Sequence, residues 1–461
     1  MPIERVVRTA PVLTDGARHV YRRLVAAGER ALLAGGAVRD HLLGRPAKDV
    51  DIASSATPER VAALFDRTVM VGAHFGVAKV VLGEETIEVV TFRADLEYQD
   101  GRHPVGVRYS SEEEDALRRD FTVNGLFYDL DAGCVVDYVG GLADLEARRL
   151  RAIGDPRSRF REDRLRLLRA VRFAVVLGFE IEDRTWAAVL DEAPGIQQVS
   201  AERIRDELEK ILVHPRRELG YFMLSDSGLM AQILPEIEAL RDVPQPPEYH
   251  PEGDVHRHTG MVLGELRAPT FPLALGALLH DIGKASTFSI TDRIRFNRHE
   301  TVGAAMAEVI CDRLRLSRRE KEEVCFLVQR HMVLPGIPAM RVARQQRLFD
   351  EPAFEALLRL GHADCMGSHR NVSAVETARS LYEDYRAAGP PAEPLVRGRD
   401  LIELGVAPGP LLGKLLREAF DAQRDGDLSS REEALEWLRR RFPEAWTVAS
   451  DRAPNLDSGT P

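Results

Sequence analysis

Two aspartates one residue apart, Asp49 and Asp51 in Lys48-Asp49-Val50-Asp51-Ile52-Ala53, are the sharpest chemical feature of the 461-residue chain. On a strand, residues two apart point the same way, so both carboxylates project from one face. Carboxylates held that close repel unless a cation lies between them, and an oxygen-only ligand set suits magnesium. Glu88, flanked by apolar residues in Thr86-Ile87-Glu88-Val89-Val90, is costly to bury unpaired and is a third candidate carboxylate. Three such groups fit phosphoryl transfer with two Mg2+ ions, one activating a hydroxyl and one holding a triphosphate. Two solvated aspartates on an edge strand are the plainer reading of the pair alone.

Gly35 and Gly36 stand just upstream, between an apolar run and a helix start, where they let backbone approach a phosphate. Arg118-Arg119-Asp120-Phe121-Thr122-Val123-Asn124 adds cationic and hydrogen-bonding groups for phosphates and ribose. Asp163 and Arg166, three apart in a helical pattern, share a face. A carboxylate accepts from an exocyclic amine and a guanidinium donates to a ring nitrogen, so the pair suits cytosine and adenine. Guanine and uracil would leave both groups mismatched, at ~1–3 kcal/mol each. An intrahelical salt bridge worth ~0.2–0.5 kcal/mol is the competing reading.

A second cluster is spread further along. His258, then His280-Asp281, then Asp364 can supply a mixed nitrogen and oxygen ligand set, which suits manganese, nickel, zinc or iron. His299 and His331 could widen that set to a second metal, and His250 and His256 stay unassigned.

The elements that must position these groups follow from pattern and composition. Ala31–Ala34 and Asp49–Ala53 read as short strands, and Val77–Leu82 with Thr86–Phe92 as a hairpin turned at Gly83-Glu84-Glu85. Thr57-Pro58-Glu59-Arg60 opens a helix. After Asp155-Pro156 apolar residues recur at helical spacing, as in Leu165, Leu168, Val171 and Val175, and helix continues to the end. The expectation is α+β: a head with a small mixed sheet over 1–152, then a helical neck over 153–240, helical domains over 241–389 and 390–450, and a disordered tail over 451–461. A chain 44% hydrophobic and 30% charged, with scattered Cys134, Cys311, Cys325 and Cys365, is expected to be cytoplasmic. No apolar run nears the ~20 residues of a membrane span, and no export leader is expected. The net charge of -10 argues against general polyanion binding, yet Arg148–Arg172 holds ten arginines against Asp155, Glu162 and Asp163. That run is read as a polyanion track.

Gly35-Gly36-Ala37-Val38-Arg39-Asp40, Asp49-Val50-Asp51-Ile52-Ala53, Arg118 to Asn124, Tyr138-Val139-Gly140-Gly141 and Glu162-Asp163-Arg164-Leu165-Arg166, in that order, resemble the bacterial CCA-adding tRNA nucleotidyltransferases, which share a superfamily with poly(A) polymerases. The resemblance is strong over roughly residues 27–240. It implies that Asp49 and Asp51 hold catalytic Mg2+ with help from Glu88. It also implies that Gly35, Gly36, Arg39, Arg119, Asp120, Asn124, Asp163, Arg166, Arg169 and Arg172 bind CTP and ATP for addition to tRNA. The polar stretch containing Asp100-Gly101-Arg102-His103-Pro104 matches the loop that switches the family from C to A addition. Gly125 stands where relatives often carry Ala and is expected to loosen its segment. The helix of Glu202-Arg203-Ile204-Arg205-Asp206-Glu207 is read as structural support. His258, His280-Asp281 and Asp364 resemble the HD phosphohydrolases, whose related domains hydrolyse phosphomonoesters or 2′,3′-cyclic phosphates at RNA ends. A poly(A) polymerase or A-adding enzyme, an HD hydrolase with a vestigial head, and a non-catalytic tRNA-binding protein are the rival readings.

Overall fold

A computed structural model describes residues 3–46, 50–70, 76–95, 107–248, 250–251, 253–389 and 393–449. The sequence expectations that fall on Lys48, Asp49, the Asp100–Pro104 stretch and the last residues lie outside these. The head is built on an eight-stranded sheet of β1 (Glu4–Val7), β2 (Ala31–Ala34), β3 (Asp51–Ser54), β4 (Thr68–Met70), β5 (Val77–Leu82), β6 (Glu85–Thr91), β9 (Leu126–Asp129) and β10 (Cys134–Asp137), while β7 (Arg93–Asp95) and β8 (Val107–Tyr109) form a separate ribbon. The order is β1-β10-β9-β2-β3-β6-β5-β4. All neighbours are antiparallel except β3 and β6, so the sheet is mixed.

The hairpin read from sequence forms with Leu82 opposite Glu85 across Gly83-Glu84. Thr57 caps the helix Pro58–Leu64, accepting from the Arg60 amide at 3.3 Å. Strand alternation then sorts the sheet's side chains. Leu33, Ile52, Val80, Val89, Tyr128 and Val135 join the main core, whereas Leu32, Ala53, Phe127 and Val136 join a smaller one on the opposite face.

From Asp155, which caps Pro156–Glu162, the described chain is almost entirely helical. Helix is interrupted by the two-residue strand Glu180–Ile181, paired with Arg149–Leu150, and by a hairpin, Phe288–Ile290 with Ile294–Phe296, neither announced by helical periodicity. The main core runs from Leu13 to Ala378 and includes residues from head, neck and the following helices alike. Residues between Val396 and Ala445 pack around a core of their own. No helix among the described residues is long and apolar enough to cross a membrane.

Gly125 has φ -89, which any residue adopts, but a Cβ there would lie 2.7 Å from Val139 Cγ2. The glycine therefore serves close packing beside Asn124, and the expected loosening is corrected.

Candidate functional site

A cleft of about 740 Å3 opens where the head meets the first helices of the neck. Gly35, Gly36, Arg39, Asp40 and Asp51 line one side, and Asp163, Arg166, Arg169, Arg172, Phe173 and Arg203 line the other, with Arg118, Arg119, Asp120 and Asn124 between. All ten residues expected to bind nucleotide thus face one space. Gly35 precedes the helix Gly36–Leu42 with φ +65, a conformation that favours glycine, and a Cβ there would lie 2.7 Å from Arg119 Nη1.

The polar groups of the cleft are held by one another. Arg39 donates to Asn124 Oδ1 at 2.5 Å, and Asn124 Nδ2 donates to Asp120 Oδ1 at 3.0 Å. Arg169 Nη2 reaches Asp120 Oδ2 at 2.5 Å, and Arg119 Nη1 donates to the Asn124 carbonyl at 3.0 Å. Burial pushes the Asp120 carboxyl up, but the Arg169 guanidinium and the Asn124 amide outweigh it and hold it well below the usual carboxylate range. Phe173 gives the guanidinium groups a common ring: Arg172 lies 3.9 Å from its centroid, and Arg39 and Arg169 lie 5.2 Å away. Burial lowers the Arg172 pKa despite Glu207 beside it.

Asp51 begins β3 exposed to solvent. Ile52 pairs with Val89 on parallel β6, so Asp51 and Glu88, one residue earlier on each strand, share a sheet face as neighbours. Glu88 does not line the cleft itself, and its Oε2 lies 3.5 Å from Lys79 Nζ across the β5–β6 pair. These neighbouring carboxylates offer the all-oxygen donor chemistry that Mg2+ takes.

Asp163 and Arg166 both line the cleft but do not share a helical face. The chain is extended at Asp163 (φ -139, ψ 104), between helices Pro156–Glu162 and Leu165–Leu177. Asp163 instead accepts from the Leu165 amide at 3.1 Å and pairs with Arg203 Nη2 at 3.0 Å. Arg166, 7% exposed, pairs with Glu162 at 2.7 Å and donates to the Arg118 carbonyl at 3.0 Å. Periodicity missed the break because the residues on either side keep helical spacing while the backbone at Asp163 is extended. Arg203, read as structural, is a cleft residue whose Nη1 is buried with no hydrogen-bond partner.

The charge balance of the arginine run is also corrected. Nine of its ten members form ion pairs: Arg149 and Arg151 with Asp144, Arg157 with Asp191, Arg159 and Arg166 with Glu162, Arg161 and Arg164 with Glu192, Arg169 with Asp120, and Arg172 with Glu207. Most of those carboxylates come from outside the run, so the local excess of positive charge is largely compensated. The exposed pairs are worth only ~0–1 kcal/mol and can be exchanged for phosphates.

The second cluster gathers from five helices. His258 lies within Val255–Glu265, and His280-Asp281 follow directly on Phe271–Leu279, at a helix end where a helical pair was expected. His299 opens His299–Arg313, His331 follows Arg318–Arg330, and Asp364 lies within Phe354–Met366. His258, His280 and Asp364 bring ligand atoms within 4.8 Å of one another, and so do Asp281, His299 and His331. Asp281 spans both groups, with Oδ2 3.3 Å from His280 Nε2 and Oδ1 3.4 Å from His299 Nε2.

Three of the imidazoles are oriented alike. Nδ1 of His280, His299 and His331 contacts the carbonyl of Ala277, Phe296 and Val328, each three residues earlier, at 2.7, 2.9 and 2.7 Å. A carbonyl can only accept, so Nδ1 carries the proton and Nε2 faces inward, where a neutral ring offers a lone pair. The Nε2 atoms of His299 and His331 then face each other at 3.1 Å, and the buried His280 Nε2 has no hydrogen-bond partner. Lone pairs so arranged around Asp281 suit a cation between them. Burial pushes the His331 pKa down to about 4, keeping that ring neutral, while Asp281 opposes burial at His299 and raises it. His256, by contrast, lies 4.8 Å from the Tyr221 ring and contacts Ser225 at 2.9 Å, away from the cluster.

Residues 31–151 match the poly A polymerase head domain family, 178–240 the probable RNA and SrmB-binding site of polymerase A, and 259–364 the HD domain family. The chain is 43% identical over 236 residues to the CCA-adding enzyme of Streptococcus gordonii, covering 51% of this chain and 59% of that one. It is 44% identical over 211 residues to the CCA-adding enzyme of Geobacillus thermodenitrificans, covering 46% and 52%. The matched region thus spans between 52% and 59% of these relatives' length. The crystal structure of the Bacillus stearothermophilus CCA-adding enzyme in complex with CTP superposes with a TM-score of 0.72 at 27% identity, covering 93% of this chain and 97% of that one.

Proposed function

We propose, for a chain whose head belongs to the poly A polymerase head family and whose later helices carry an HD domain, that it adds CCA to the 3′ end of tRNA from CTP and ATP. The observation that carries this reading is a single cleft in which a carboxylate, Asp163, and a guanidinium, Arg166, stand opposite the Gly35-Gly36 turn and Asp51. A base reader and a phosphate binder in one protein pocket can choose a nucleotide with no template strand. The CCA-adding relatives, one of them solved with CTP, support the same substrates.

In this reading Arg39, Arg119, Arg169 and Arg172 bind and orient the triphosphate, with Asp120 and Asn124 fixing the first three of them. Gly35 and Gly36 let the backbone approach the phosphates. Asp163 accepts from the base amine and Arg166 donates to the ring nitrogen, which favours C and A. Asp49 and Asp51 would hold Mg2+, with Glu88, the neighbour of Asp51 on the adjacent strand, assisting. When bound, that ion supplies Lewis-acid stabilisation of the phosphoryl oxygens and makes the tRNA 3′-hydroxyl more acidic.

His258, His280, Asp281 and Asp364, joined by His299 and His331, would hold manganese, nickel, zinc or iron for phosphoester hydrolysis at RNA ends. A transition metal there supplies Lewis-acid chemistry, while the backbone carbonyls keep the imidazoles aimed. The domain limits proposed are 1–152, 153–240, 241–389, 390–450 and a tail over 451–461, and the cytoplasm suits the free cysteines. The test is incorporation of labelled CTP into a tRNA lacking its 3′ CCA, with Asp51→Ala as control. Incorporation that the variant loses supports the reading, and incorporation that it keeps overturns it.

A further inference from the structure

The segment between the neck and the helix Val255–Glu265 brings Gln245 and His250 to the histidine–aspartate centre. Its two ends are tied by the bridge between Pro244 and Asp254 and by the Val255 amide donating to the Val243 carbonyl at 3.1 Å. The closed loop sets the His250 ring 4.9 Å from the His258 ring and buries Gln245 to 4% exposure. Gln245 Oε1 accepts from Lys284 Nζ at 2.7 Å, and the same Nζ lies 2.7 Å from Asp281 Oδ2. An ammonium can only donate, so Lys284 fixes which way the Gln245 amide faces. The amide's other end, Nε2, is then a buried donor with no hydrogen-bond partner.

Such a group is expensive to leave empty and is normally met by a partner or a ligand. This one stands a single hydrogen bond from the lysine that touches the carboxylate joining both ligand groups. The chemistry missing beside it is an anionic oxygen acceptor, and a phosphoryl group bound at the centre brings several. The geometry points to Gln245 as a substrate-binding residue of this centre, its Nε2 donating to a phosphoryl oxygen while Lys284 neutralises charge alongside. This rests on the hydrolase reading proposed above for the same cluster.

Two substitutions separate this role from simple anchoring of Lys284. Gln245→Glu keeps an acceptor for the lysine, removes the donor and adds a charge that repels phosphate. Gln245→Leu removes donor and acceptor together. The full chain is loaded with Co2+, whose visible absorption reports the histidine-ligated centre, and is titrated with inorganic phosphate. Co2+ stoichiometry and the thermal midpoint are read on each variant to show that centre and fold persist.

The expected result is phosphate affinity about tenfold weaker or worse in Gln245→Glu, the loss from a missing hydrogen bond to a charged oxygen, with Gln245→Leu no weaker than Gln245→Glu. The KM for p-nitrophenyl phosphate should rise in the same order. Wild-type phosphate affinity in Gln245→Glu overturns the proposal, whether or not Gln245→Leu is impaired, since a lysine anchor would give that pattern. A wild-type chain whose Co2+ spectrum ignores phosphate overturns the hydrolase reading and this proposal together.

Discussion

Arg203 Nη2 lies 3.0 Å from Asp163 Oδ2, so the carboxylate proposed to read a base amine is held by a helix that follows 40 residues later. The pair is partly exposed, and Arg203 keeps one terminal nitrogen buried without a partner. Removing the guanidinium frees Asp163 to turn away from the base. Arg203→Ala should lower kcat/KM for CTP about tenfold, the scale of one charge-assisted hydrogen bond, and raise UTP incorporation relative to CTP. Single-nucleotide extension with each triphosphate measures both. Unchanged selectivity would make Arg203 a packing residue.

Asp163 and Arg166 carry separate halves of the proposed base choice, and their losses should differ in kind. Asp163→Ala removes the acceptor for the exocyclic amine, so discrimination against UTP and GTP should fall roughly tenfold to a hundredfold. Arg166→Ala also strips Glu162 and the Arg118 carbonyl of a donor, so it should lower the melting temperature as well. Steady-state kinetics and thermal unfolding on both variants check this contrast.

Asp120 links chemistry to stability. Its folded carboxyl lies below the 3.8 of an ordinary aspartate, because Arg169 and Asn124 outweigh burial. The stability it contributes is complete above that pH and is lost as pH falls through the folded value. The gap in denaturation midpoint between wild type and Asp120→Asn should therefore be widest near neutrality and narrow as pH drops below about 4. A gap that is constant with pH would show that the charge of Asp120 contributes nothing.

The histidine–aspartate centre should hold metal independently of the cleft. His258→Ala and Asp364→Ala should each lower the bound transition metal found by elemental analysis, while CTP incorporation persists. Chelation of the wild type should lower its melting temperature, because an ion bound only to the folded state stabilises it. Equal metal content in wild type and variants would exclude these ligands.

Much of this was legible from residue types, and what was not has physical causes. The glycine turn at Gly35 and the gathering of His258, His280, Asp281 and Asp364 were readable because a positive φ favours glycine and a metal centre calls for nitrogen and oxygen donors. The placement of Asp163 was not, because the residues around it keep helical spacing while the backbone there is extended. Strands β9 and β10 went unread because Leu126–Asp129 and Cys134–Asp137 are buried on both faces and show no alternation. Phe173 looked like any apolar helix residue, and only the fold shows three guanidinium groups around its ring. The partners of the arginine run come from Asp144, Asp191, Glu192 and Glu207, which local charge counting cannot see.

The central claim is that one protein cleft builds a defined C, C, A end. It is tested most directly with purified protein, Mg2+ and three tRNA transcripts, ending before the CCA, after C and after CC. Each is offered CTP, ATP, both, or UTP and GTP, with products resolved to single nucleotides. The account predicts stepwise growth by C, C and A that stops there, with UTP and GTP refused. Long A tails on any RNA with no use of CTP would contradict it and point to a poly(A) polymerase.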